Sequence, residues 1–217
     1  MKMASHDQLR ECKERFVCCK CNGSRKYYCY TCFVPNPSIT LPFVPKLPFN
    51  LHIIKDPREL DGKSTAVQAR ILCGPDQVCI GDSFVDSDLS SSVVLFPSKD
   101  AKQTSEVDWT KTSTVIVIEG TWSQAKTINR TIPSSVVRVT LPPARTSFWR
   151  YQSLGEHCLS TIEAIHAIVS NVNRHDNNFD NILWFFAFQY HLIQAAYKKD
   201  SNMREFTSRH RPGYIKQ

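Results

Sequence analysis

Five short apolar runs most constrain the fold: Leu51–Ile54, Val78–Ile80, Val93–Phe96, Val115–Ile118 and Val136–Leu141. Several are continuous rather than alternating, and all but the first contain valine. A strand with one wet face alternates apolar and polar residues. A continuous run suits a strand covered on both faces, as in a parallel sheet flanked by helices. Helix candidates fall between and after the runs, at Ser64–Leu72, Ser123–Arg130, Thr161–Asn171 and Asn181–Tyr197. In the last of these, Ile182, Phe186, Ile193 and Tyr197 recur at helical spacing. Strands that alternate with helices predict an α/β domain built on a mostly parallel sheet.

That domain spans residues 51–200. A polar arm or short helix at 1–15, a cysteine cluster at 16–34 and a proline-rich stretch at 35–50 precede it, and a basic tail at 201–217 follows. Pro35, Pro37, Pro42, Pro45 and Pro48 exclude helix and central strand, so 35–50 reads as an extended connector. The formal charge of +7 points to a polyanionic partner, nucleic acid first, with a generic basic surface as the plain alternative. No apolar leader opens the sequence, and no run approaches the roughly 18 apolar residues of a membrane span, so we expect an intracellular protein that does not enter membranes.

Six of the nine cysteines precede residue 33. In a reducing compartment such a cluster reads as a metal site rather than a disulfide framework. Cys18, Cys21, Cys29 and Cys32 follow a C-x2-C-x7-C-x2-C pattern. Each C-x2-C turn sets two thiolates on one metal, and two turns complete the tetrahedral shell of a structural zinc. The short middle spacing suggests one compact hairpin. Cys19 and Cys12 compete as ligands with poorer spacing. A redox role lacks a thioredoxin-like setting, and a closed four-cysteine site leaves no position for a catalytic metal.

Three buried strands end in turns that carry chemistry. Thr114–Gln124 reads TVIVIEGTWSQ, Val93–Ser98 reads VVLFPS and Val139–Ala144 reads VTLPPA. Ligands of open α/β sheets bind beyond the carboxyl ends of the strands, where Glu119 serves either as a base or clamp or simply caps the next helix. With only 7 glycines and no G-x-G-x-x-G, the chain carries neither a dinucleotide fingerprint nor a P-loop. Arg145, Phe148, Trp149, Arg150 and Tyr151 combine guanidinium and aromatic groups, which suits phosphate contact and base stacking. Ser160-Thr161-Ile162-Glu163 also fits a capping box. The histidines show no metal spacing, and no G-x-S-x-G nucleophile elbow occurs.

VVLFPS, IEGTW and the pair Arg145 and Arg150 followed by LSTIEA occur in this order in DTW-domain proteins, which the chain resembles over about residues 16–197. Asp56–Ala66, DPRELDGKSTA, looks like that family's entry motif, and CCKCNGSRKYYCYTCFVP resembles the zinc ribbon of its eukaryotic tRNA-modifying branch. The resemblance implies a SPOUT-like fold with a knotted cofactor site. It implies transfer of the 3-amino-3-carboxypropyl group of S-adenosylmethionine to N3 of a tRNA uridine, in the nucleus. Carried over by motif, Glu119, Thr121 and Trp122 are catalytic. Leu95, Phe96, Pro97, Leu141, Pro142, Ser160, Thr161 and Glu163 hold the cofactor, with Glu163 facing its amino group. Lys20, Arg25, Lys26, Arg145, Trp149 and Arg150 meet RNA, and Tyr27 and Tyr28 join them on the ribbon. The family motif is D-x-T-W, whereas this chain has Glu119 in place of the aspartate. Alternatives are a catalytically weak RNA-binding module of the same fold and a SPOUT-like RNA methyltransferase.

Overall fold

The computed structural model describes residues 2–83, 89–149, 157–173 and 178–199, with side chains to 196. Six strands form one sheet in which every pairing is parallel: β5 (Asn50–Lys55), β6 (Val78–Gly81), β7 (Ser92–Leu95), β8 (Lys102–Gln103), β9 (Thr114–Glu119) and β10 (Val137–Thr140). Their spatial order is β6-β5-β9-β7-β10-β8. The neighbouring inner strands β5 and β9 carry long apolar runs. Ile53, Val115 and Ile116 are wholly buried, as residues covered on both faces must be. The five predicted strands are present. β8 is an additional polar edge strand, too short to leave a pattern in the sequence.

Helices α2 (Ala66–Cys73), α3 (Trp122–Thr131), α4 (Thr161–Val172) and α5 (Trp184–Lys199) flank the sheet. One face packs under α2 and α4, with Ile162, Ile165, Ile168 and Val169 against Leu51, Ile53 and Val115. The other packs under α3, with Ala125 and Ile132 against Ile54, Val94 and Ile116. α2 stops at Gly74, whose φ of +84° suits glycine. The predicted helix at 181–197 is split: a 3-10 turn, Asp180–Leu183, precedes α5. Among the described residues, no helix is long and apolar enough to cross a membrane.

The front of the chain docks on this domain. Helix α1 (Asp7–Glu11) buries Leu9 against Trp184, while the Trp184 indole donates to the Ser5 carbonyl at 3.1 Å. The cysteine segment forms two hairpins rather than one: β1 (Phe16–Val17) with β2 (Ser24–Arg25), and β3 (Tyr28–Cys29) with β4 (Val34–Pro35). Each C-x2-C turn ends in a residue with left-handed backbone, Asn22 at φ 55° and Phe33 at φ 58°. Asparagine adopts that conformation readily. Phe33 adopts it at a cost and packs in the cluster that holds Trp184 and Phe185. Residues 36–49 carry no helix or strand, and Ile39, Leu47 and Phe49 anchor them by burial.

Candidate functional site

β9, β7 and β10 all end at one place. Beyond their carboxyl ends, the turns after them, the loop from β5 to α2 and the start of α4 enclose a cavity of about 370 Å³. Leu95, Phe96, Pro97, Glu119, Thr121, Trp122, Leu141, Pro142, Ser160 and Thr161 all line it, so ten of the residues singled out from separate motifs converge there. Trp122 faces Phe96 with ring centroids 6.2 Å apart. The size and mostly apolar lining suit a small organic ligand.

Glu119 is 6% exposed, and its Oε2 is buried without a hydrogen-bond partner. Burial pushes its carboxyl above the ordinary carboxylate range. The Thr161 and Ser64 hydroxyls and the Thr65 amide oppose that shift, while the charge of Glu59 adds to it. A carboxylate tuned upward this way is a better proton acceptor than an exposed one. Thr121 is the N-cap of α3, so its hydroxyl accepts from the Gln124 amide at 3.4 Å and Gln124 returns an acceptor to the Thr121 amide at 2.6 Å.

The same Gln124 donates to Asp56 Oδ1 at 3.2 Å, and the Asp56 amide donates to the Glu119 carbonyl at 2.9 Å. Arg58 grips Asp56 with its Nε at 2.9 Å and its Nη2 at 2.8 Å, and draws its carboxyl down to about 2. A latch thus ties the β5 loop to the turn that carries Glu119. Gly120 allows this close approach, since a Cβ there would sit 3.3 Å from Asp56 Cβ and 3.1 Å from Gln124 Oε1. Sequence reasoning missed this latch because its two halves lie 68 residues apart.

Glu163 does not line the cavity. Its Oε2 accepts from the Thr146 hydroxyl at 2.6 Å and from the Ser160 amide and hydroxyl at 2.8 and 2.7 Å, and its Oε1 accepts from the Ser147 amide at 2.6 Å. The capping box therefore pins the loop after β10 to the start of α4. Glu59, Lys63 and Thr65, which lie in the entry motif Asp56–Ala66 but carried no assigned role, also join the wall, as does His157. Strand-end logic applied to β5 would have given the three motif residues a role.

The cysteine pattern closes as its spacing predicts. One sulfur each from Cys18, Cys21, Cys29 and Cys32 lies within 4.8 Å of the others. A tetrahedral zinc with Zn–S bonds of about 2.3 Å needs sulfurs about 3.8 Å apart, and Cys21 and Cys29 stand at 3.6 Å. The Lys20 and Cys21 amides point at Cys18 and, with help from its cysteine neighbours, draw its thiol down to about 6. Cys12 and Cys19 stay outside the group.

The ribbon is fastened to the domain. Tyr28 packs on Phe185 with centroids 4.7 Å apart, and its hydroxyl accepts from Gln68 at 3.3 Å and from Gln189 at 3.1 Å. It therefore faces inward, not outward toward RNA. Tyr27 packs edge-on against Phe188. Arg25 lies over the Tyr30 ring at 4.1 Å, and Lys26 lies 5.3 Å from the Tyr27 ring. Lys20 and Arg145 are exposed. Trp149 is half-buried against Phe148 and Phe186, and Arg150 lies outside the described residues.

Residues 26–194 match the family model described as the DTW domain. The chain is 34% identical to tRNA-uridine aminocarboxypropyltransferase 1 of Xenopus laevis, over 88% of this chain and 84% of that protein. It is 30% identical to the Homo sapiens protein of the same name, over 89% and 83%. Among solved structures, the SAM-dependent rRNA:acp-transferase Tsr3 from Vulcanisaeta distributa matches with a TM-score of 0.45 and 20% identity, over 72% of this chain and 93% of that one.

Proposed function

The chain belongs to the DTW-domain family, and from that premise we propose that it is a tRNA-uridine aminocarboxypropyltransferase, moving the 3-amino-3-carboxypropyl group of S-adenosylmethionine to N3 of a tRNA uridine. The observation that carries this reading is the convergence of three strand-end motifs on one cavity around a buried, half-unpartnered carboxylate, Glu119.

The cavity fits the cofactor. It has the volume for a nucleoside-sized molecule, and its wall is mostly apolar. Bound there, S-adenosylmethionine supplies a sulfonium-activated carbon for attack. The turns at Leu95–Pro97 and Leu141–Pro142 hold the adenosine end through backbone groups. Trp122 and Phe96 wall the pocket and exclude water, which strengthens every polar contact inside it. Glu119 would take or orient the uracil N3 proton and leave the nitrogen nucleophilic toward that carbon, whose bond to sulfur breaks as methylthioadenosine leaves. Thr121 fixes the turn that aims Glu119. Ser160 and Thr161 close the opposite wall, and Glu163 keeps the adjoining loop in place. Glutamate in place of the family aspartate advances the carboxylate by one methylene, and Thr161, Ser64 and Thr65 border it there.

The four cysteines hold a structural zinc, a role that matches the donor set and the sulfur separations. Lys20 and Arg145, with Arg25, Lys26, Trp149 and Arg150 nearby in sequence, supply the basic face for tRNA phosphates. On the resemblance to the nuclear branch we also assign the protein to the nucleus, which imaging of the tagged full chain tests.

The deciding experiment incubates the zinc-loaded chain with S-adenosylmethionine and unmodified tRNA and separates the nucleoside products. Methylthioadenosine with a modified uridine is expected. S-adenosylhomocysteine would make the protein a methyltransferase. RNA binding with neither product would make it an RNA-binding module.

A further inference from the structure

Helix α3 leaves the cavity mouth with one face that the fold does not use. Ala125 and Ile128 turn inward and pack on the sheet. The opposite face carries Ser123, Lys126, Thr127 and Arg130, all exposed. Their spacing is i, i+3, i+4 and i+7, so they form one stripe along the helix. Trp122, the first residue of α3, lines the cavity. The stripe therefore starts at the mouth and runs about 10 Å away from it, at a rise of about 1.5 Å per residue.

A solvated helix face gains from both signs, because opposite charges three or four residues apart attract. α3 has two cations and no carboxylate in its 10 residues. Among the described residues, neither Lys126 nor Arg130 forms an ion pair. A cation near a helix C-terminus can serve the last carbonyls, but here Arg138 already does so. It donates to the Asn129 and Ile132 carbonyls at 3.0 and 2.8 Å, and to those of Pro133 and Val136 at 2.7 Å each. Arg130 is thus left without a structural task at that end, and Lys126, one turn from the mouth, never had one.

The ribbon lies on the other side of the cavity. Tyr28 and Tyr30 set it against α5 and the β5–α2 loop, on the α2 side of the sheet, whereas α3 covers the opposite face. A strand whose uridine enters the cavity between them has neighbouring nucleotides on both flanks, and the ribbon can serve only one. We propose that the stripe from Ser123 to Arg130 is a second RNA-contact surface, which holds backbone phosphates on the flank of the acceptor uridine away from the ribbon. The proposal rests on the protein acting on RNA at this cavity. Lys126 and Arg130 stand about 6 Å apart along the helix axis and supply the charge. Ser123 adds a hydroxyl donor, while the Thr127 hydroxyl is already spent on the Ser123 carbonyl at 3.1 Å. Phosphate contacts of this kind set the register of the strand and read no bases.

Binding of unmodified tRNA to the zinc-loaded full chain across a salt series tests this. The double variant Lys126→Ala/Arg130→Ala should bind about tenfold more weakly at low salt and lose about 1.5 from the salt slope, the share of two phosphate contacts. Its affinity for S-adenosylmethionine and its zinc content should not change, and in the transfer assay KM for tRNA should rise while kcat holds. Lys126→Arg/Arg130→Lys should bind as the wild type does. The control Lys46→Ala/Lys111→Ala removes the same charge from the amino end of the sheet, just before β5 and β9, and should bind tRNA nearly as the wild type does. Unchanged binding in the α3 variant, or an equal loss in the control, overturns the proposal and leaves the transferase reading standing. A parallel loss of S-adenosylmethionine affinity in the α3 variant also overturns it, because the two residues would then support the fold. A wild-type chain that binds no tRNA overturns the proposal together with the reading beneath it.

Discussion

Replacing Glu119 with glutamine separates its chemistry from its packing. The side chain keeps its shape and loses its charge and its capacity to accept a proton as a base. In the wild-type protein the carboxyl is 6% exposed with one oxygen unpartnered, and burial raises its proton affinity. The folded state therefore holds the proton more tightly than the unfolded chain does. The stability tied to that proton is fully present below about pH 4.5, the ordinary value, and is lost as pH rises through the raised folded value. Glu119→Gln should escape this loss. Its advantage should be absent near pH 4 and grow to about 1 kcal/mol by pH 8, the lower part of the range for a buried unpaired polar atom, since the amide must also be buried. The same variant should lose roughly 10²- to 10⁴-fold in transfer rate, the usual share of a positioned base. Urea unfolding at pH 4, 6 and 8, together with methylthioadenosine release on tRNA, measures both. Glu119→Asp withdraws the carboxylate by about 1.5 Å and should fall between wild type and Glu119→Gln in rate. A stability gain independent of pH, or a glutamine variant that modifies tRNA at the wild-type rate, would refute the reasoning.

Further outcomes follow from the other parts of the site. Cys29→Ser should abolish zinc binding, seen as metal content, and cost at least ~4 kcal/mol, the scale of losing a structural metal, whereas Cys19→Ser should keep the metal. Gln124→Ala opens the latch between Asp56 and the Glu119 turn and should slow transfer about tenfold, with zinc content unchanged. Asp56, drawn down to about 2 by Arg58, contributes stability that is present above its ordinary value of 3.8 and lost as pH falls through the lower one. Asp56→Asn should flatten that acid limb in a pH series of unfolding midpoints.

The strands were legible because burial on both faces forces continuous apolar runs, and β5, β7 and β9 obey that rule with little compromise. β8 was not, since two polar residues at a sheet edge carry no pattern. The zinc ligands were legible because one ion imposes a spacing on four side chains. The number of hairpins was not, because it depends on how each turn continues after its second cysteine. Ten cavity residues could be named from motifs at strand ends and at the start of α4. Glu59 and Lys63 lay inside the quoted entry motif but received no role, because a charged loop looks the same whether it faces solvent or a cavity. Glu163 was the reverse case: its motif supported both a cofactor contact and a capping box, and its carboxylate is taken up by the cap and the neighbouring loop. Tyr28 looked like an RNA contact beside basic residues, yet two glutamines from distant helices hold its hydroxyl.

Tyr30 has a role beyond the ribbon. Its ring bears on Gly62, one residue from Lys63 on the cavity wall, and Arg25 covers its other neighbourhood at 4.1 Å. Tyr30 thus lies within the second metal knuckle and beside the loop that ends in Lys63. If the ion fixes the ring and the ring fixes the loop, metal affinity and cofactor affinity are linked, and each should rise in the presence of the other. A chain that has lost its ion would then hold its aminocarboxypropyl donor less firmly even before it unfolds.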